Sequence, residues 1–416
     1  MYHLSYFMIK VLAIGDTADN IFSLKKYAIN LKIHLINFPR KKAALMTVSK
    51  KDVEFFNSLL ISKQVEHIKK IKDQYDLCIV MSWAGARVAY LAGINYSMYF
   101  VGGDITNPPF IKNTKPNYLK TPVHNKNFIE RLFYKKVLQT AIVCIGAPGE
   151  YEDLKIYRND AIKMERVFVD TEFFNENIEP KKIEKKKFTF LSAQRLGKEK
   201  GIDLLWKAIS LCKTDFEILQ VKWFIETNPE ENLINEKLIK EMPSRVRFIP
   251  LIKREEVGSY FKAVDAIMGQ FRTGWYGGIE RDAVYCKKPV ICYIDLTKPK
   301  VLEQNPPFLP ISNKPEEIAK IIDKVVESEE FRTDLMEREY KFVNELCEPK
   351  KVTKDWEEIF IKLHKTHSNI NRKESSIINI INNFVARMAE KFIYSRTMKE
   401  KNIQAWGQDE YNKLMK

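Results

Sequence analysis

The sequence predicts an α/β protein made of two parallel-sheet domains followed by a helical tail. Three observations carry this reading. Short apolar runs of strand length alternate with segments of helical period from residue 9 onward. The alternation breaks once, across 172–187, where Asn, Pro, Glu and Lys replace the apolar residues and the stretch ends in Lys185-Lys186-Lys187. It then resumes at Phe188. A strand–helix–strand repeat favours right-handed crossovers and parallel pairing, so two such series joined by one linker imply two sheets with a cleft between them.

In the first series, 9–14 reads as a buried strand, 20–31 as a helix with Ile21, Leu24, Tyr27, Ala28 and Leu31 on one face, and 33–37 as the next strand. A long helix follows at 52–72, carried by Val53, Phe56, Leu59, Leu60 and Val65. Strands at 77–81 and 97–101 flank a helix at 85–91. The proline-rich stretch 107–122 reads as an irregular loop suited to an acceptor surface. Helices at 127–139 and 149–157 with strands at 141–144 and 165–169 close this series, for six strands. The second series has five strands, at 188–193, 217–221, 246–249, 266–269 and 290–293, separated by helices at 202–211, 230–240, 255–261 and 281–286. Helices at 315–326 and 331–346 follow.

The expected organisation is therefore a domain at 1–171, a linker at 172–187, a second domain at 188–349, a closing helix at 350–365 and a tail at 366–416. The closing helix has Trp356, Ile359, Phe360 and Leu363 at helical spacing. In the tail, Ile377, Ile381, Phe384, Met388 and Phe392 share one helix face, with Arg387, Lys391, Arg396 and Lys399 around the rest. Such a helix rests on an anionic membrane surface, packs on its own protein, or packs in a dimer.

Lys+Arg 69 against Asp+Glu 54 leaves a formal net charge of +15, which favours anionic partners such as nucleotides and phospholipid head groups. No RNA-binding aromatic motif or helix-turn-helix spacing points to nucleic acid. The 6 cysteines are scattered, mostly in apolar runs and with no C-x-x-C pair, and the 6 histidines form no H-E-x-x-H or H-x-H cluster. Neither a disulfide framework nor a metal centre is expected, and no cofactor is called for. No apolar stretch reaches the roughly 18–20 residues of a membrane span, and the N-terminus lacks signal-peptide order. The expectation is a cytoplasmic protein whose tail can lie peripherally at the inner face of the cell membrane.

Two stretches of the second series carry candidate chemistry. The first leaves a strand at Ala193, passes Arg195 and Lys198, and reaches a helix start at Lys200-Gly201. It sets cations beside free backbone N–H groups, as a diphosphate requires. The second, residues 269–292, runs from a strand through Gly274-Trp275-Tyr276-Gly277-Gly278 into a helix beginning near Ile279, Glu280 and Asp282, and Lys288-Pro289-Val290-Ile291 opens another strand. A glycine loop at the carboxyl end of a strand, leading into a helix N-terminus, is a ligand seat in an open α/β sheet. In the first series, Gly15-Asp16 and Gly102-Gly103-Asp104 occupy comparable strand ends.

Arg195 with Lys200-Gly201, followed by G-W-Y-G-G-I-E-R-D-A and K-P-V-I, resembles the donor half of glycosyltransferase family 4, retaining nucleotide-sugar enzymes of the GT-B fold. Residues 169–174 are similar to the family's short motif between domains, and Gly15-Asp16-x-Ala18-x-Asn20 and Gly102-Gly103-Asp104-Ile105 are also like family members. The resemblance spans roughly 9–364 and implies two Rossmann-like domains facing a cleft, the second holding a nucleotide-sugar donor and the first a glycan or lipid-linked acceptor. It implies catalytic roles for Arg195, Lys200, Glu280 and Asp104, and donor binding by Gly15, Asp16, Arg195, Lys200, Gly277, Gly278, Ile279, Glu280 and Asp282, with no metal.

The pattern departs from the family at two points. The spacing of the family's paired glutamates places them at Gly274 and Asp282, so the first carboxylate is missing and either Glu280 or Asp282 takes the sugar-hydroxyl or ribose contact. The family's first-domain histidine has no counterpart; Asp104 stands in the comparable loop, and His124 is the other candidate nearby. Rival readings are a sugar-nucleotide epimerase or phosphorylase on the same fold, and a non-enzymatic protein that binds nucleotide or anionic membrane.

Overall fold

The computed structural model describes residues 8–416 apart from 18, 40–51, 107, 113–126, 148–149, 165–168, 225–228, 299–300, 302–303, 368, 373–375, 394–395, 397–398, 401–402 and 404–405. Strands apolar on both sides need cover on both faces, which is the situation of a parallel sheet flanked by helices. The first sheet is of this kind: β1 (Ile9–Ile14), β2 (Leu31–Asn37), β3 (Glu54–Phe55), β4 (Leu77–Met81), β5 (Ser97–Phe100), β6 (Cys144–Gly146) and β7 (Ile162–Lys163). They pair in parallel in the order β3-β2-β1-β4-β5-β6-β7. The order reverses between β1 and β4, which opens a crevice at the carboxyl ends of those strands.

Helices α1 (Asn20–Tyr27), α2 (Ile61–Ile71), α3 (Trp83–Leu91), α4 (Gly103–Thr106), α5 (Phe128–Thr140) and α6 (Tyr151–Lys155) connect these strands. The α2, α3 and α5 face buries Ile61, Val65, Ile68, Val88 and Val137 against Leu12, Val80 and Met98, whereas the α1 face is packed on Val11, Ala13 and Ile79.

The second sheet holds β8 (Phe188–Ser192), β9 (Phe216–Val221), β10 (Val246–Ile249), β11 (Ala266–Met268) and β12 (Val290–Ile291) in the order β10-β9-β8-β11-β12, all parallel. Its switch point lies between β8 and β11, the strands that lead into the two candidate stretches. Helices α7 (Ile202–Leu211), α8 (Pro229–Lys240), α9 (Val257–Ala263), α10 (Gly278–Tyr285), α11 (Pro315–Glu327) and α12 (Glu329–Cys347) accompany it.

The chain then returns to the first sheet. Pro349 opens α13 (Pro349–Thr366), capped by the Glu348 carboxylate accepting from the amides of Lys350 and Lys351. Val352, Trp356, Phe360 and Leu363 are buried on the α1 face, with the Trp356 ring 4.8 Å from that of Tyr99. Truncating either ring of this stripe costs about 3–5 kcal/mol. Glu357 fastens the docking by accepting from the backbone of Ile29 and Asn30 and from the Asn30 side chain. The tail also lies on the first lobe: Ile370 enters the α2–α3 core, α14 (Ser376–Ile393) packs on α2 and α3, and in α15 (Gln408–Leu414) the Leu414 carbonyl accepts from the Leu59 amide and the Ser58 hydroxyl.

Several boundaries differ from the sequence expectation. The 52–72 helix is two elements, the edge strand β3 and then α2, which raises the first sheet from six strands to seven. Val53 and Phe56 mimic helical spacing but are buried from an extended segment, Phe56 against Phe38. Helix α1 stops at Tyr27, and Leu31, read as its last apolar residue, begins β2. The strand read at 141–144 is Cys144–Gly146, although its pairing starts at the Ile142 amide bonding Tyr96. Helix 149–157 shortens to Tyr151–Lys155. The last strand is Ile162–Lys163 rather than 165–169, of which 165–168 lie outside the described residues. The 107–122 loop falls mostly outside them as well.

Candidate active site

At the end of β8 the chain passes through Gln194 and Arg195 and makes a tight turn over Lys198–Lys200 before α7 begins. That turn is laced to the loop following β11. The Phe271 amide donates to the Lys200 carbonyl at 2.9 Å, the Arg272 Nε to the Lys198 carbonyl at 2.7 Å, and the Arg272 guanidinium to Asp203 at 2.6 and 2.8 Å. Two stretches separated in the chain by α7, β9, α8, β10, α9 and β11 are thereby one structural unit.

The side chains continue the connection inward. Lys200 Nζ donates to Gln270 Oε1 at 2.9 Å, and the Gln270 amide donates to Glu280 Oε1 at 2.9 Å. Glu280, buried, also accepts from Gln194 Nε2 at 2.8 Å and from the Gly277 amide at 2.8 Å, which closes the first turn of α10. Burial lowers the pKa of Lys200; the Glu280 charge opposes this and the Arg195 charge adds to it. Arg195 donates from Nε to Glu199 Oε1 at 2.8 Å and pairs with it through its guanidinium. Two cations are thus held beside two helix starts, an arrangement suited to an anion.

Of the other predicted donor-side residues, Gly277, Gly278 and Ile279 form the entry to α10, with Ile279 buried. Asp282 is buried one turn on and pairs with Arg254, whose guanidinium lies 4.2 Å from the Phe174 ring centroid. Burial raises the Asp282 pKa against the pull of Arg254. Gly274 stands where the resemblance expects a carboxylate. Its φ is +64°, and a Cβ there would meet the Cβ of Asp295 at 2.4 Å, so the loop has no room for a side chain at this position.

On the first lobe, Gly15 follows β1 with φ +82°, and a Cβ there would come within 2.5 Å of the Met81 carbonyl at the end of β4. Asp16 follows it, buried, with its carboxylate accepting from the amides of Ile21 at 3.1 Å and Phe22 at 3.0 Å at the head of α1. Asp104 opens α4 after β5 and accepts from the Gly102 amide at 3.2 Å. Burial and the nearby Glu150 charge push its pKa up to about 7. Burial raises the Tyr99 pKa, with the charges of Glu150, Asp16 and Asp104 adding to the rise and Arg281 of α10 opposing it. His124 lies outside the described residues.

Sequence reasoning missed Gln194, Gln270, Glu199 and Arg254. A strand-end glutamine has no periodic signature, and the only hint was its position beside Arg195 or Gly269. Among the described residues no group of His, Cys, Asp and Glu is disposed to hold a metal ion. Two surface hollows, about 730 Å³ against α13 and about 880 Å³ beside the starts of β1 and β2, both lie on the first lobe away from these loops.

Residues 173–342 match the family model described as Glycosyl transferases group 1. This interval contains both laced loops. Among solved structures, sucrose-phosphate synthase from Thermosynechococcus elongatus is 14% identical with a TM-score of 0.63, covering 86% of this chain and 100% of its own. Anabaena HepE in complex with UDP and glucose is 12% identical with a TM-score of 0.61, covering 85% and 100%. A glycosyltransferase from Rickettsia africae is 15% identical with a TM-score of 0.58, covering 85% and 98%. The fold shared with them is GT-B. Compared with curated proteins, the chain has no match.

Proposed function

We propose that the protein transfers a sugar from a nucleotide-sugar donor to a glycan or lipid-linked acceptor, with retention of anomeric configuration, as a family 4 enzyme does. In this reading residues 188–349 hold the donor, residues 1–171 present the acceptor, and the cleft between them is where transfer takes place. The observation that carries it is the link of Lys200 to the start of α10 through Gln270 and Glu280, with Arg195, paired to Glu199, close enough for its charge to act on Lys200.

Arg195 and Lys200 bind the diphosphate and stabilise the charge that grows on the departing nucleotide, so the reaction needs no metal. A preorganised donor aimed at developing charge is worth about 3–4 kcal/mol. The amides of Gly278 and Ile279 add the dipole of α10, while that of Gly277 is taken by Glu280. Glu280 acts through position: three donors fill its carboxylate, which orients Gln270 and so Lys200. Asp282, partnered by Arg254, supplies the ribose side. Gly15 and Asp16 shape the facing edge of the first lobe. Asp104, held near neutrality, takes the place of the family's histidine near the transferred sugar.

Because HepE was seen with UDP, uridine donors come first in the test. A bound donor at one hundred times its dissociation constant adds about 2.7 kcal/mol to stability, so a thermal-shift screen of nucleotide sugars reports the base and sugar. The double substitution Arg195→Ala with Lys200→Ala should lower transfer by about 10²–10³-fold or more while the unliganded melting temperature holds. Normal transfer by the double variant refutes the assignment. Release of nucleoside diphosphate only when acceptor is present separates transfer from epimerisation and phosphorolysis.

A further inference from the structure

An amphipathic helix on a protein surface ordinarily buries its apolar stripe and shows its polar side to water. Helix α14 does the reverse. Its contact with α2 and α3 runs through Asn382 and Ala386, both buried, and through Glu390, whose Oε1 accepts from the Ser62 amide at 2.6 Å. Turned away from the body are Ile377 (70% exposed), Ile380 (68%), Ile381 (54%), Phe384 (60%) and Met388 (49%). These lie three, four, seven and eleven positions along from Ile377, one continuous stripe at helical spacing. The Phe392 side chain is outside the described residues.

The same side of the first sheet presents a second apolar cluster. Helix α5, which like α14 packs on α3, leaves Phe128 (65%), Ile129 (65%) and Leu132 (51%) exposed at its start. Cations accompany both clusters: Arg387 and Lys391 are exposed on α14, and Lys135 and Lys136 on α5. A contiguous apolar stripe left facing water marks an interaction surface. The flanking charge selects the partner. Two copies of this face brought together by a twofold axis would set Arg and Lys against Arg and Lys, whereas an anionic head-group layer neutralises them. Among the described residues no helix is long and apolar enough to cross a membrane.

We propose that this face docks on an anionic lipid bilayer, with the α14 stripe sunk beneath the head groups and Arg387 and Lys391 on lipid phosphates. The tail is then a docking element carried on the acceptor-side lobe, and a lipid-linked acceptor would reach the cleft from the surface on which that lobe rests. The proposal goes beyond the transferase reading and stands independently of it.

The test is co-sedimentation of the full chain with vesicles of phosphatidylcholine alone and of phosphatidylcholine with phosphatidylglycerol. The parent chain should pellet with the anionic vesicles only, and less as salt rises. Ile381→Asp with Phe384→Asp should weaken binding by roughly tenfold or more, since each removes an apolar side chain from the lipid. Arg387→Glu with Lys391→Glu should weaken it by about tenfold or more. All four sites are exposed, so both variants should keep the parent's melting temperature and its shift with nucleotide sugar. Failure of the parent to bind, binding unchanged in both variants, or a solution dimer that the apolar variant dissociates would each overturn the proposal. Loss of the nucleotide-sugar shift in the parent would instead count against the transferase reading alone.

Discussion

Replacing Asp104 with asparagine is expected to stabilise the protein at and above neutral pH while changing it little in acid. Burial, reinforced by Glu150, raises the Asp104 carboxyl from 3.8 to about 7. The fold therefore favours the protonated form. Because the folded pKa lies above the unfolded one, stability is greatest in acid and declines as pH rises from the unfolded value toward the folded one, then levels off. A gap of about three pH units at 1.36 kcal/mol each sets a ceiling of about 4 kcal/mol.

The Gly102 amide, which donates to the carboxylate, and the partial exposure of the residue bring the expected difference nearer to about 2 kcal/mol. Scanning calorimetry of both proteins across this range should show the asparagine variant gaining steadily on the parent and the gain flattening near neutrality. A difference that does not vary with pH, or a parent that gains stability as pH rises through the window, would refute the reasoning. The activity counterpart has the same inflection: if ionised Asp104 serves transfer, the rate climbs through about pH 7 in the parent, and Glu150→Gln moves the climb to lower pH.

Glu280→Ala strips the acceptor from three donors, Gln194 Nε2 and the amides of Gln270 and Gly277. Urea denaturation should show a loss of about 3 kcal/mol or more, and donor affinity should fall with it because Gln270 no longer holds Lys200. A variant of parental stability would mean that Glu280 is not the organising group. Gly274→Glu, which restores the family's missing carboxylate in sequence, should destabilise by about 1–3 kcal/mol without raising transfer, since the φ of +64° and the Asp295 Cβ leave no space for it. A measured increase in transfer by that variant would show that the loop accommodates the acid after all.

Much of the second lobe was legible from the chain alone. Helix Ile202–Leu211 and strand Val246–Ile249 fall at their expected bounds, and all five strands are present. These segments are long or flanked by turn residues, so period and punctuation agree. The first lobe was harder to read where elements are short. A two-residue edge strand such as β3 has no period to detect, and Val53 and Phe56 happen to stand at a helical interval. The candidate site divides in the same way. Arg195, Lys200 and the glycine-led entry to α10 stand out by residue type, but Gln270 and Gln194 do not, because an amide acquires meaning only from what it bonds.

Alternation of apolar and polar positions is a property of neighbours in the chain, and it was enough to establish the α/β class, the double series and the break between them. Contacts between distant segments follow from packing and strand order, which no local pattern encodes. Only the folded molecule placed Lys200 on Gln270, occupied Asp16 with the head of α1, put Asp295 against Gly274, and turned the apolar side of α14 away from the core.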